Sequence, residues 1–173
     1  MASSTVAGLP KYVTLRSTAN GKYMHYLWND EFGAYYKGMG CKRPMDPVSP
    51  FVKLEVVPSV TDPAHLVHLR CGYNDKFLRL VEMDGVQFVY ATADAPAEDA
   101  DGEESTLFDV VFPEDEPGAV GLLHVRTQRH VRTFFNEGYS DEINGVACAY
   151  STDDVGSMER YTFAPWVAYG GEA

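Results

Sequence analysis

The sequence predicts an all-β domain built from three imperfect copies of one unit, and three observations lead there. First, an alternating segment ending in arginine recurs at Tyr12–Arg16, Leu66–Arg70 and Leu122–Arg126, with the arginines 54 and 56 residues apart. Second, each arginine is followed six residues later by another base (Lys22, Lys76, Arg132) and then by a tyrosine (Tyr36, Tyr90, Tyr150). Third, each unit closes on an apolar strand running into proline, at Leu54–Pro58, Phe108–Pro113 and Tyr161–Pro165. A period of this size marks supersecondary units that bury their apolar faces against one another. The units run approximately 12–58, 66–113 and 122–165, within a single domain spanning 1–173.

Each copy reads as four strands. In the second copy they fall at roughly 66–70, 76–82, 86–93 and 106–112. Val, Tyr, Phe and Thr dominate these runs, as a pleated half-buried surface prefers, and no stretch has a 3.6-residue apolar period. Turn chemistry separates them at Asn20-Gly21, Asn74-Asp75, Asp84-Gly85 and Asn144-Gly145. Four strands in three copies make twelve, which suits a β-trefoil: a barrel capped by hairpins, with no exposed sheet edge. The copies diverge at their loops. The third is four residues longer before Tyr150, in 137–145, and its last connection is shorter than the other two.

Composition bounds the function. At 173 residues with 45% hydrophobic and 23% charged residues, the chain fits one globular domain with its own core. No apolar run approaches a membrane span, and the first ten residues show no secretory pattern, so a cytoplasmic or nucleocytoplasmic protein without membrane insertion is expected. Cys41, Cys71 and Cys148 are odd in number and form no C-x-x-C, which reads as reduced, buried or half-buried thiols. The net charge of −11 is concentrated: Asp94 to Glu116 holds ten acids and no Lys or Arg. Such a segment repels phosphate backbones and no basic stripe offsets it, so nucleic acid is not an expected partner.

Catalytic motifs are absent from the sequence, and neither a cofactor nor a metal is expected. His68 and His124 occupy equivalent places in their copies, with Thr14 in the first, which points to structural roles. Asp99 to Glu104 is rich in hard oxygen ligands, but its spacing departs from a calcium loop and it reads as a solvated acidic loop. Aromatic rings beside carboxylates or amides suit a pyranose, whose C–H face stacks on the ring while its hydroxyls take hydrogen bonds. Two places have that grouping: Trp28-Asn29 in the first copy, and Asp84, Gly85, Val86, Gln87 and Phe88 in the second.

Gly8-Leu-Pro10, Leu66–Arg70 followed by Tyr73–Leu78, Ala91–Pro96, Ser105–Phe108 and Leu122–Val125 stand in an order and spacing that resemble amaranthin-type plant agglutinins, over about Gly8 to Val167. The resemblance implies a β-trefoil lectin for galactose- or N-acetylgalactosamine-type glycans such as the T-antigen disaccharide. It also implies a role in plant defence or stress, and a homodimer if the sugar site lies between subunits. The stretch matching the family's sugar contacts is Asp84–Phe88, where Asp84 would accept hydroxyls and Phe88 would offer the stacking face. Gly85 and Val86 carry no polar side chain. The competing expectation is a protein-binding trefoil resembling actin-bundling modules, which predicts no sugar site.

Overall fold

The computed structural model describes residues 5–136, 138–151 and 156–168. A short pair, β1 (Thr5–Val6) with β2 (Leu9–Pro10), precedes the first copy. The first copy then holds β3 (Tyr12–Ser17), β4 (His25–Tyr26), β5 (Met39–Gly40) and β6 (Leu54–Pro58). The second holds β7 (Leu66–Cys71), β8 (Phe77–Met83), β9 (Val86–Ala93) and β10 (Phe108–Val111). The third holds β11 (Ala119–His124), β12 (Arg129–Thr133), β13 (Ala147–Ser151) and β14 (Tyr161–Pro165). The twelve expected strands are therefore present, and the β1–β2 pair is an addition that the repeat pattern did not predict.

The first and last strands of every copy close a six-stranded antiparallel barrel. β3 pairs with β6, β6 with β7, β7 with β10, β10 with β11, β11 with β14, and β14 with β3 again. The middle two strands of each copy form a hairpin, and the three hairpins meet in a triangular cap. Gly38 bridges to Tyr90, β9 pairs with β13, and Gly40 bridges to Val146. Closure leaves the barrel without an edge. This arrangement is a β-trefoil.

The core follows from the alternation. Val13 and Leu15, Val67 and Leu69, and Val120 and Leu122 are equivalent inward positions, each no more than 1% exposed. Phe108 and Tyr161, from two of the closing strands, are fully enclosed with them. A second cluster lies under the cap, formed by Leu27, Phe32, Phe88, Tyr90, Phe134, Val146 and Cys148. It leaves little space between hairpins: a Cβ on Gly40 would stand 2.8 Å from the Gly145 carbonyl oxygen. The three cysteines are all buried and unpaired. Among the described residues, no helix is long and apolar enough to cross a membrane.

Turns repeat as well as strands. Asn20 and Asn74 each accept a backbone N–H from the base two residues on (Lys22, 2.9 Å; Lys76, 3.0 Å). Each also donates its side-chain amide to a carbonyl of the following hairpin, Cys41 or Ala91. The third copy has Thr127 at this place, followed by Gln128, whose N–H donates to the His124 carbonyl as those of Gly21 and Asp75 donate to Ser17 and Cys71. The repeated tyrosine is not a uniform core position: Tyr90 is buried, whereas Tyr36 and Tyr150 are exposed.

Candidate functional site

The β8–β9 hairpin places the predicted second-copy stretch. Asp84 (φ 51°) and Gly85 (φ 79°) are its two turn residues, both left-handed, as a tight hairpin turn matching strand twist requires. Across the hairpin Glu82 pairs with Gln87, Val81 with Phe88 and Arg79 with Tyr90. Side chains alternate between the two faces of the hairpin. Val81, Val86, Phe88 and Tyr90 turn to the cluster under the cap, while Val89 and Ala91 join the main core.

This overturns the expectation for Phe88. Its ring is 2% exposed and stands edge-on to Tyr35 at 5.0 Å. No ring face is left for a sugar, because the hairpin is buried on both sides at this point. Val86 is half-buried beside it. Asp84 and Gly85 are exposed at the tip, and Gln87 is half-buried with its side chain in a surface groove.

That groove is a run of three depressions of about 480, 290 and 350 Å³ that share lining residues. Arg79 and Glu104 belong to the first two, and Glu82 and Gln87 to the second and third. Its far wall comes from Glu103 in the acidic loop, from Arg126 and Thr127 in the β11–β12 turn of the third copy, and from Arg129 at the start of β12. Arg79 stands 3.6 Å from Glu104 and Arg126 stands 4.0 Å from Glu103. Both glutamates are largely exposed, so these pairs contribute little stability and their groups are free to exchange partners. The groove thus interleaves donors (three guanidiniums) with acceptors (three carboxylates) around one amide.

Trp28 and Asn29 line none of these depressions. Trp28 is half-buried, 5.0 Å from both Phe32 and Phe51, and Phe51 stacks in turn on the exposed Tyr73 at 4.4 Å. Asn29 is exposed and caps the 3₁₀ turn Asp30–Tyr35 by accepting the Glu31 N–H. The two predicted groupings therefore stay apart. Phe51 and Tyr73, which join Trp28, come from different strand connections and carry no common sequence signal.

The acidic loop is less solvated than its composition suggests. Glu98 accepts hydrogen bonds from the Ser59 hydroxyl (2.7 Å), the Val60 N–H (2.7 Å) and the Nε2–H of buried His68 (2.8 Å). Burial pushes its carboxyl up, but these donors, led by the Val60 N–H, outweigh that and hold it down at about 2. On its other nitrogen His68 accepts from the Thr106 hydroxyl at 2.7 Å, and that hydroxyl accepts the Ala97 N–H. His124, at the end of β11 in the third copy, donates from Nε2 to the Ser105 carbonyl at 3.2 Å. The two histidines thus grip adjacent residues at the end of one loop, a structural role for both, although the register sets His124 level with Cys71 and Ser17 rather than with His68. Asp99 accepts the Asp101 N–H in a local turn. Among the described residues no three His, Cys, Asp or Glu side chains converge as a metal site.

Comparison with known proteins agrees with this fold. A family model described as Agglutinin domain matches residues 7–162. No curated protein matches the chain significantly. Similar solved structures include a Macrolepiota procera ricin B-like lectin in complex with lactose, 12% identical, covering 95% of this chain and 98% of that one at TM-score 0.62. Another is the BEL β-trefoil, 8% identical, covering 94% and 95% at TM-score 0.63. A third is SeviL bound to asialo-GM1 saccharide, 15% identical, covering 90% and 97% at TM-score 0.57. At these identities the likeness is one of fold.

Proposed function

Because the chain belongs to the agglutinin domain family, a non-catalytic lectin family whose fold suggests carbohydrate binding, we propose that it binds galactose- or N-acetylgalactosamine-type glycans in the groove beside the β8–β9 hairpin. The observation that carries this reading is the alternation of donors and acceptors around Gln87. A sugar hydroxyl both donates and accepts. Glu82 takes a hydroxyl proton, Arg79, Arg126 and Arg129 give N–H bonds to hydroxyl oxygens, and the Gln87 amide does both. Asp84, exposed at the hairpin tip, is a further acceptor at the groove's end. That solved β-trefoils of similar fold hold lactose and the asialo-GM1 saccharide supports a galactoside as the ligand.

The groove is open and carries no aromatic wall, so affinity per site is weak, on the order of millimolar. Agglutination then needs two sites held together, and a homodimer supplies them. Three buried, unpaired thiols support a reducing, cytoplasmic or nucleocytoplasmic setting for a plant defence lectin.

Calorimetric titration with galactose, N-acetylgalactosamine and the T-antigen disaccharide tests the site. Gln87→Ala is expected to weaken binding about tenfold, the loss of one or two hydrogen bonds, without changing the unfolding midpoint. Absence of binding to any galactose-terminated glycan at millimolar sugar would overturn the reading. Unchanged affinity in Gln87→Ala would move the site elsewhere on the chain.

A further inference from the structure

We propose that His25 is the trigger of an acid-released latch that holds the extended third-copy loop against the first copy. The imidazole, on β4, is fully buried. Its Nδ1–H donates to the Tyr26 carbonyl at 3.0 Å. Its Nε2 lies 3.1 Å from the Arg43 backbone nitrogen and 3.3 Å from that of Lys42, and both N–H groups point at it. Nε2 must therefore carry a lone pair. A proton taken up there from the medium puts a third N–H in front of two others, with no acceptor among them.

The surroundings oppose that proton as well. Trp28 and Phe32 rings pack beside the imidazole at 5.4 and 6.1 Å. Lys22, Lys42 and Arg43 are the cations that face it. The carboxylates nearby are already engaged: Glu31 stands 3.9 Å from Arg43, and Asp141 and Glu142 act on Lys42. Burial first, then Arg43, Lys42 and Lys22, lower the imidazole from 6.5 to about 4, against the opposing pull of the Tyr26 carbonyl.

What the latch holds is defined by Lys42. Its ammonium donates to three carbonyl oxygens of one loop: Asp141 (2.8 Å), Glu142 (2.6 Å) and Asn144 (2.8 Å). The adjoining Cys41 N–H donates to the Gly145 carbonyl at 2.7 Å. From the loop side, the Glu142 carboxylate accepts the Ala34 N–H at 3.3 Å, beside an open cleft of about 380 Å³. The order of events follows from these bonds. A protonated His25 repels the Lys42 and Arg43 amides, their segment shifts, the ammonium leaves its three carbonyls, and the loop lifts away from the first copy. The lengthened loop, present in one copy alone, is thereby coupled to a histidine in another.

Backbone hydrogen exchange, corrected for intrinsic rates, tests this on the full chain at pH 6.5 and pH 4. Protection of the Lys42 and Arg43 amides, and of the Cys41 amide that donates to the Gly145 carbonyl, is expected to fall at least about tenfold more than that of Leu69 in the barrel strand β7. In His25→Gln, whose amide oxygen takes both N–H groups without titrating, the selective loss is expected to vanish. An equal selective loss in His25→Gln, or none in the unaltered chain, overturns the proposal. Two further measurements stand if that variant does not fold. Proton NMR of the unaltered chain must show the His25 ring titrating well below 6.5, and a normal value overturns the trigger. Lys42→Met must leave that titration in place yet expose the Cys41 amide, the donor to the Gly145 carbonyl, at both pH values, and a protected Cys41 amide overturns the latch.

Discussion

Phe88→Ala is expected to lower the free energy of unfolding by about 3–5 kcal/mol and to leave galactoside affinity of the folded chain unchanged. The ring fills the cluster under the cap, edge-on to Tyr35 and beside Leu27, Tyr90 and Cys148. Its strand also pairs with β13 at Cys148, so the gap opens where two hairpins meet. The surrounding backbone is fixed by cross-hairpin pairing and collapses little, which puts the cost in the upper part of the range for large-to-small changes. Urea denaturation gives the stability and calorimetry at saturating folded fraction gives the affinity. A variant with normal stability and lost sugar binding would restore Phe88 as a stacking residue, and the groove centred on Gln87 would then be the wrong surface. Set beside Gln87→Ala, the pair separates packing from recognition on neighbouring residues of one strand.

Glu98→Ala is expected to cost about 3 kcal/mol, because it strips partners from two buried donors, His68 and Ser59, together with the Val60 N–H. The His68 Nε2–H, the Ser59 hydroxyl and the Val60 N–H all converge on that carboxylate, and His68 is 1% exposed. Water has poor access to replace it at His68. Glu98→Gln keeps an acceptor and should cost about 1 kcal/mol. Thermal or urea unfolding of both variants checks the ratio, and equal small losses would show the carboxylate to be an ordinary surface group. The same residue sets an acid dependence. Its folded value lies near 2 against 4.5 unperturbed, so the unfolded chain takes up the proton first. Stability from this source is complete above about 4.5 and is lost as the pH falls towards 2. The contribution of His25 sits higher: its folded value is about 4 against 6.5, so stability declines as the pH drops between those two values.

The strands were legible because the barrel repeats one chemical solution three times. Inward Val and Leu and a closing proline recur in all three copies, and a turn asparagine in the first two. The sugar grouping was not legible for a related reason. Alternation identifies an outward side chain only when one face of a strand meets water. At Phe88, Val89 and Tyr90 the hairpin lies between two apolar clusters, so three consecutive residues are buried and the pattern does not say which ring is free. Glu98 is invisible in a run of ten acids, since what distinguishes it is the placement of Ser59 and His68, 39 and 30 residues away. His25 and Lys42 have no counterparts in the other copies. The ammonium of Lys42 reaches carbonyls about a hundred residues further along, a relation that turn and strand chemistry do not encode.

The pairing of β3 with β14 sets Val13 opposite Pro165 and Ser17 opposite Tyr161. The barrel is thus sealed by the two most widely separated strands of the repeat array. High contact order of this kind belongs to domains that fold in milliseconds to seconds rather than microseconds. During synthesis, the first two copies leave the ribosome with the outer edge of β3 unpaired, and that edge is a template for any free strand until Tyr161–Pro165 arrives. The interval before closure is when this chain is most exposed to misassembly with another, by exchange of the final strand between two nascent copies.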